Sequence, residues 1–266
     1  AGITLGVMAL IIVVSVMNGF ESELKKRVLG VVPHVVLSKT DATLESDNVT
    51  DALLALTPVI GVTPFIQTEG MVQSASDMRA IMIQGIEPSQ EANYSVIAQN
   101  MQYGSLASLT VRSYNVVIGR QLAAQLSVNI GDQVRLMLVE KTTYTPMGRM
   151  PVQRKFTVSG IFDAGSDVDS HVALINHTDV SRMLRKPKGS VNNLRVYLDD
   201  AFEFRQVNDL IASQFPNWST TDWRQSQGKL FSAVKMEKNM MWLMLCLIVA
   251  VAAFNIVSAL VMVVSE

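Results

Sequence analysis

The sequence predicts a membrane protein in which an α+β polar domain is carried between two transmembrane helices. Three observations predict it. Gly2–Met17 and Trp242–Val264 contain no Asp, Glu, Lys or Arg, whereas all 22 basic residues, and every acidic residue except Glu266, lie elsewhere. The second of these runs is long enough, at about 23 residues, to cross a ~30 Å hydrocarbon core at ~1.5 Å per residue. The stretch between them mixes short β-rich runs with helical periodicity, without the strict alternation of a parallel α/β fold.

The first apolar run, GITLGVMALIIVVSVM, covers about 16 residues, short of the usual ~20 for a span. It starts at residue 1 without a Met and reads as a span cut by the start of the chain. A cleaved leader fits less well: no basic region precedes the run, and Ser15-Val16-Met17 is not a small-residue cleavage site. Phe20, Leu24 and Val28 continue at helical spacing beyond it. After Pro33 comes the β-rich HVVLS, then a helical segment over Thr50–Leu56 ended by Pro58. Strand-like pieces follow at Val59–Gln67, Gly70–Ser74 and Arg79–Gly85, and Glu87–Ser113 reads as loop with one short helix. Tyr114–Ile118 is a strand leading through Gly119 into the helix RQLAAQLSV, whose Leu122 and Leu126 share a face. The turn Asn129–Asp132 opens onto Val134–Val139 and Phe156–Phe162, two strands expected to pair. His171–Ile175 and Asn193–Leu198 are strands flanking the helical Thr178–Leu184. Phe202–Phe215 is helical, and Ser226–Met241 is a helix leading into the second span, whose clearly polar members are Asn255 and Ser258.

The balance of charge argues against bulk attraction to nucleic acid or anionic lipid. The one cysteine, Cys246, lies in the second span, so the polar domain has no disulfide framework. That domain is too long for the positive-inside rule to set orientation. No phosphate loop, HExxH, CxxC or GxSxG is present, and no carboxylate pair stands beside a base, so no catalytic or metal-ligating set is assigned. The acidic stretch from Asp163 to His171 fits no calcium-loop spacing and reads as an Asp- and Gly-rich turn.

One connector stands out. EKTTYTPMGRMPVQRK, about 16 residues, joins the two paired strands where hairpin loops ordinarily need 2–5. Pro146 and Pro151 stiffen it, while Tyr144, Met147 and Met150 place large apolar groups where no core is expected. Lys141, Arg149, Arg154 and Lys155 surround them with positive charge. It reads either as a hairpin folded back on its own base or as an arm offering an apolar tip and cationic rim to a partner.

The segments GITLGVMAL…SVMNGFESEL, TPMGRMPVQR and MEKNMM…LIVAVAAFNIVSALVMVV resemble the membrane subunits of the lipoprotein-releasing ABC transporter, the LolC, LolE and merged LolF family. The resemblance runs the length of the chain. It implies a multi-pass protein of the bacterial inner membrane with its main domain in the periplasm, built of Porter and Sabre subdomains. On that pattern 1–29 is the first helix and its extension, 30–99 the first part of the Porter, 100–168 the Sabre, 169–225 the second part of the Porter, and 226–266 the connecting helix and second span. The long connector matches the family's Hook, 142–154, which captures the soluble carrier LolA. Tyr144, Thr145, Pro146, Met147, Gly148, Arg149, Met150 and Pro151 would form it, beside a Pad of Arg135, Gln153 and Arg154. The Hook implies a LolC- or LolF-like role, although VVPHVVLS and RAIMIQGIEP look more like LolE. Met17 and Met241, at the outer ends of the spans, would line a lipoprotein cavity. The implied partners are the cytoplasmic ATPase LolD, a second membrane subunit (LolE, or another copy of a LolF), LolA and lipoproteins. The chain itself would be non-catalytic and bind no cofactor, ATP and magnesium belonging to the ATPase. The competing expectation is a mechanotransmission or efflux subunit of a MacB- or FtsX-like ABC system.

Overall fold

The computed structural model describes residues 8, 11–12, 14–17, 19, 34–39, 46–145, 148–187 and 193–264; the side chains of 46–47, 140–145, 148–150, 201 and several between 226 and 264 lie outside the description. The chain divides into two units, Leu29–Trp223 and the pair Ala1–Val28 with Arg224–Glu266.

In the first of these, β1 (Val35–Ser38) is followed by α1 (Ser46–Leu54), β2 (Val59–Gln73) and β3 (Met78–Ile86). Two short helices, α2 (Pro88–Tyr94) and α3 (Val96–Gln99), lead to β4 (Met101–Tyr103), β5 (Asn115–Gly119) and α4 (Arg120–Leu126). The long strands β6 (Gln133–Thr145) and β7 (Gly148–Phe162) come next, then α5 (Val168–His171), β8 (Val172–Asn176), α6 (His177–Met183), β9 (Asn193–Leu198), α7 (Phe204–Gln214) and β10 (Ser219–Asp222).

Six strands pair in a closed circuit: β2 with β3, β3 with β8, β8 with β5, β5 with β7, β7 with β6, and β6 back to β2. Closure turns one face of every strand inward, which yields the alternating burial expected of a small barrel. Val72, Ile83, Ile118, Leu136, Leu138, Phe156 and Ile175 belong to its core, joined by Leu122 and Leu126 of α4. The other end of β2 leaves the circuit to pair with β9, which continues through β1 to β10 as a four-stranded antiparallel sheet. A 15-residue strand is long enough, at roughly 50 Å, to serve both layers.

The α+β composition expected from the sequence is present, with four main differences and smaller ones such as the strand Ser219–Asp222 and the helix Val168–His171, which the sequence reading lacks. The pieces expected at Val59–Gln67 and Gly70–Ser74 are one strand. A Cβ at Gly70 would stand 2.7 Å from the Met137 carbonyl oxygen and 2.5 Å from Ile83 Cδ1, so this glycine is the point where β6 closes onto β2. The first helix begins at Ser46 rather than Thr50. Residues 87–113 hold two short helices, a strand and a 3₁₀ turn rather than loop with one helix, because Ser95 ends the first helix and caps the second, its hydroxyl accepting from Ile97 N–H at 3.3 Å.

The fourth correction concerns the connector. It is not a 16-residue loop: β6 and β7 run on into it and pair down to Thr145 opposite Gly148. Leu138 faces Val152 and Thr142 faces Pro151, so residues 139–141 of β6 have no partner on β7. Such an insertion bends a strand pair and raises its twist, and it accommodates Pro151, which cannot donate to the ladder.

In the other unit, residues 8, 11–12 and 14–17 are helical, and α8 (Trp223–Val264) runs 42 residues without a break. Among the described residues no helix is long and apolar enough to cross a membrane. The two expected spans fall in part on residues outside the description.

Candidate functional site

The arm is positioned by the barrel itself. Gln133–Leu138 of β6 pairs with Val152–Thr157 of β7 and builds the wall; the same two strands, past the unpaired 139–141, form the arm. Along the arm Thr142 stands opposite Pro151, Thr143 opposite Met150, Tyr144 opposite Arg149 and Thr145 opposite Gly148. Pro146 and Met147 lie outside the described residues, as do the side chains of Tyr144, Thr145, Gly148, Arg149 and Met150. Pro151 is exposed.

Arg135, Gln153 and Arg154 are all exposed at the arm's root, where Gln153 and Arg154 line one cleft and Arg135 lies outside its lining, although the strand register puts them on different faces. Arg135 pairs with Lys155 and Met137 with Gln153, so strand alternation puts Arg135 and Gln153 on the outer face. Arg154 pairs with the fully buried Leu136 and therefore belongs to the inner face, at the end of the barrel core. There its guanidinium lies 4.6 Å from the Tyr114 ring centroid and donates to the Tyr114 hydroxyl. Tyr114 in turn meets Phe156 edge-on, with centroids 5.7 Å apart. A cationic side chain thus closes the barrel end through an aromatic stack.

Arg154 and Gln153 open onto a cleft of about 440 Å³ that is also lined by Arg112, Tyr114, Asp179, Arg182 and Arg185. Asp179, on α6, is 1% exposed; its Oδ1 accepts from Arg112 N–H at 3.2 Å and from Arg182 Nη1 at 3.3 Å. Burial pushes its pKa above the ordinary carboxylate value, against the Arg112 hydrogen bond and the charges of Arg182, Arg154 and His177, which lower it. Arg112, Tyr114 and Arg185 have φ of 66°, 49° and 56°. Each of these non-glycine residues holds a left-handed conformation at a cost of about 1–2 kcal/mol. Arg185 does so in the αL position after α6, where glycine is usual, with Lys186 N–H reaching back to the Ser181 carbonyl at 2.9 Å. Of the residues lining this cleft, Gln153 and Arg154 are the two that the sequence reading names as site residues. Left-handed arginines and tyrosines leave no mark in composition or periodicity, so the cleft had no signal to find.

The acidic turn has a local purpose. Asp169 is buried and accepts from Ala164, Gly165 and Ser166 N–H at 2.9, 2.8 and 3.2 Å, which fixes the loop entering α5. Met17 and Met241 are half-buried, while the other described side chains of 8–19 and 224–261 are exposed.

Comparison with known proteins adds the following. The family model described as the MacB-like periplasmic core domain matches residues 1–214. The chain is 37% identical over its full length to the lipoprotein-releasing system transmembrane protein LolC of Xylella fastidiosa (strain Temecula1), covering 64% of that protein. It is 39% identical to LolC of Haemophilus influenzae, covering 97% of this chain and 64% of the relative. The lipoprotein-releasing system transmembrane protein LolE of Haemophilus influenzae is 28% identical over the whole chain, with 65% of its own length covered. The chain thus spans somewhat under two thirds of the LolC proteins it matches.

Proposed function

The chain belongs to the family of lipoprotein-releasing transmembrane subunits that contains LolC and carries the MacB-like periplasmic core domain, and from that membership we propose that it works as the membrane subunit that hands lipoproteins to a soluble carrier. The observation that carries the handover is the arm: a two-stranded extension of the barrel wall whose tip sequence TPMGRMP combines methionines, prolines and a cation. In the family this segment is the Hook, and the chemistry of a flexible apolar tip suits a partner that is itself apolar in its lipid-binding part.

The chain is then a multi-pass protein of the bacterial inner membrane with the unit Leu29–Trp223 in the periplasm. Its Porter comprises 30–99 and 169–225 and its Sabre 100–168, with the Hook at 142–154 and Pad residues Arg135, Gln153 and Arg154. The segments 1–29 and 226–266 hold the two helices that enter the membrane. Withdrawing acyl chains from a bilayer costs ~0.8 kcal/mol per CH₂, which requires coupling to an energy source and a covered route for the chains. A separate cytoplasmic ATPase of the LolD kind, with its ATP and magnesium, supplies the energy; this chain is non-catalytic and holds no cofactor. A second membrane subunit, LolE-like or another copy of this chain, completes the cavity. Met17 and Met241, the partly covered side chains of the helices, line that cavity on this reading.

Co-purification tests the assignment. The full-length protein, solubilised from its native membrane, is expected to bring down an ATPase subunit, a second membrane subunit and lipoprotein. Recovery of the chain without any ATPase subunit would overturn the proposal, as would recovery with an efflux adaptor in place of a lipoprotein carrier.

A further inference from the structure

β2 carries the chain from the four-stranded sheet into the barrel, and its ladder is thinnest where it crosses between them. One edge pairs with β9 up to Phe65 and with β6 from Gly70 onward. Among the described residues, 66–69 pair with β3 alone.

A buried side-chain network spans that joint. Arg195 of β9 stands opposite Thr63 of β2, with its guanidinium carbon 4.6 Å from the Phe65 ring centroid. Its Nη1 donates to Glu91 of α2, and its Nη2 to Gln84 Oε1 of β3 at 2.9 Å. Gln84 is the β3 residue opposite Gln67, inside the thin stretch. Glu91 Oε1 also accepts from the Tyr197 hydroxyl of β9 at 2.8 Å, and its Oε2 from Thr63 at 3.0 Å. α2 follows β3 directly, and Glu87 at its start lies 3.1 Å from His177 Nδ1 on α6. Side chains of the sheet are thus tied to β3 and α2 on the barrel side.

Stability does not account for the charges. Replacing a buried ion pair by apolar side chains of similar volume is often neutral or stabilising, whereas removing one partner is costly. What a charged network adds is direction: its hydrogen bonds are all satisfied in one arrangement, while apolar burial is non-directional. β10 runs straight into α8, so a displacement passed along that helix enters this unit at the sheet. The barrel, on the other side of the joint, carries the arm.

We propose that the Glu91–Arg195 network is a latch that locks the sheet to the barrel, so that movement entering at β10 reaches the arm and is not absorbed at residues 66–69 of β2. Its use in transmission rests on the lipoprotein-release reading; the locked joint does not.

The test places nitroxide labels on either side of the joint, at Gln125→Cys on α4 and Ser213→Cys on α7, in a Cys246→Ser background. Both labelled positions are exposed. Pulsed dipolar spectroscopy on the full-length protein in its purified membrane complex then reads the distance between them. The wild-type joint is expected to give one narrow distribution. E91L/R195M is expected to at least double its width and to cut lipoprotein released per ATP hydrolysed at least fivefold, with melting temperature, ATPase rate and carrier capture at the wild-type level. A pair that only supports folding would move neither width nor release ratio in a variant of restored stability. Unchanged width in E91L/R195M overturns the proposal, as does a doubled width with an unchanged release ratio. If the double variant melts well below wild type, Gln84→Ala decides, because it severs only the bridge from Arg195 to β3 at a partly exposed position. Wild-type width in Gln84→Ala would then overturn the latch. A doubled width in a complex whose wild type passes no lipoprotein to a carrier would remove the release reading and leave the locked joint standing.

Discussion

Single residues carry charge into this fold where the sequence shows only polar letters. Glu91 and Arg195 are 1% and 5% exposed and pair directly; Glu91 also accepts from Tyr197 at 2.8 Å and Thr63 at 3.0 Å, and Arg195 Nη2 donates to Gln84 at 2.9 Å. Burial pushes the Tyr197 hydroxyl up to about 12, and although burial alone would lower Arg195, the facing Glu91 charge holds it above its usual value. Removing one partner of such a pair leaves an uncompensated charge, so Glu91→Gln is expected to cost about 3–5 kcal/mol, read as a large drop in melting temperature. Replacing both, as Glu91→Leu with Arg195→Met, should recover much of that loss. Asp179 gives a pH test of the opposite kind. Its pKa is raised by folding, so its protonated form is favoured in the native state, and that contribution, complete below the unfolded value near 3.8, is lost as pH rises. Asp179→Asn, which keeps an acceptor for Arg112 N–H, is therefore expected to melt higher than wild type at pH 7, with the difference closing as pH falls toward 3.8. A gap that widens on acidification would refute it. None of these three charges was legible beforehand, because periodicity reports the faces of elements and not the pairing of buried ions.

At the scale of elements the sequence was more informative. Alternation over Val134–Val139 and Phe156–Phe162 located the barrel-wall strands, and the leucines of RQLAAQLSV located α4, because each buries one face against a single core. Two features escaped for physical reasons. The break expected between Gln67 and Gly70 is absent because Gly70 lets β6 pair closely with β2, a tertiary contact that leaves no mark in the sequence. The arm strands continue through KTTY and GRMP without the apolar alternation by which a strand is recognised in sequence. Adding a side chain at the closure point tests the first: Gly70→Val forces overlap with Ile83 and the Met137 carbonyl, and is expected to cost about 1–3 kcal/mol and to increase protease cleavage between β2 and β6. Gly70→Val melting like wild type would mean that the circuit is not closed there.

The whole molecule couples a closed barrel, a four-stranded sheet sharing its longest strand, and an arm that is a direct extension of the barrel wall. The circuit of pairings could not be read from the sequence, because closure depends on which strands meet, not on where they are. The connector EKTTYTPMGRMPVQRK stands out in the sequence by its length and composition, and the pairing of β6 with β7 shows how to remove it cleanly. Deleting all of 142–154 would take Val152, Gln153 and Arg154 out of the barrel wall. Replacing 139–151 by Asn-Gly instead closes the hairpin at the existing Leu138–Val152 pair with a two-residue turn that such strands favour. The decisive measurement is capture of the soluble lipoprotein carrier by this arm-less protein in its purified membrane complex. The account predicts an unchanged melting temperature, retained ATPase subunit and loss of carrier capture; capture at the wild-type level by the arm-less protein would contradict it.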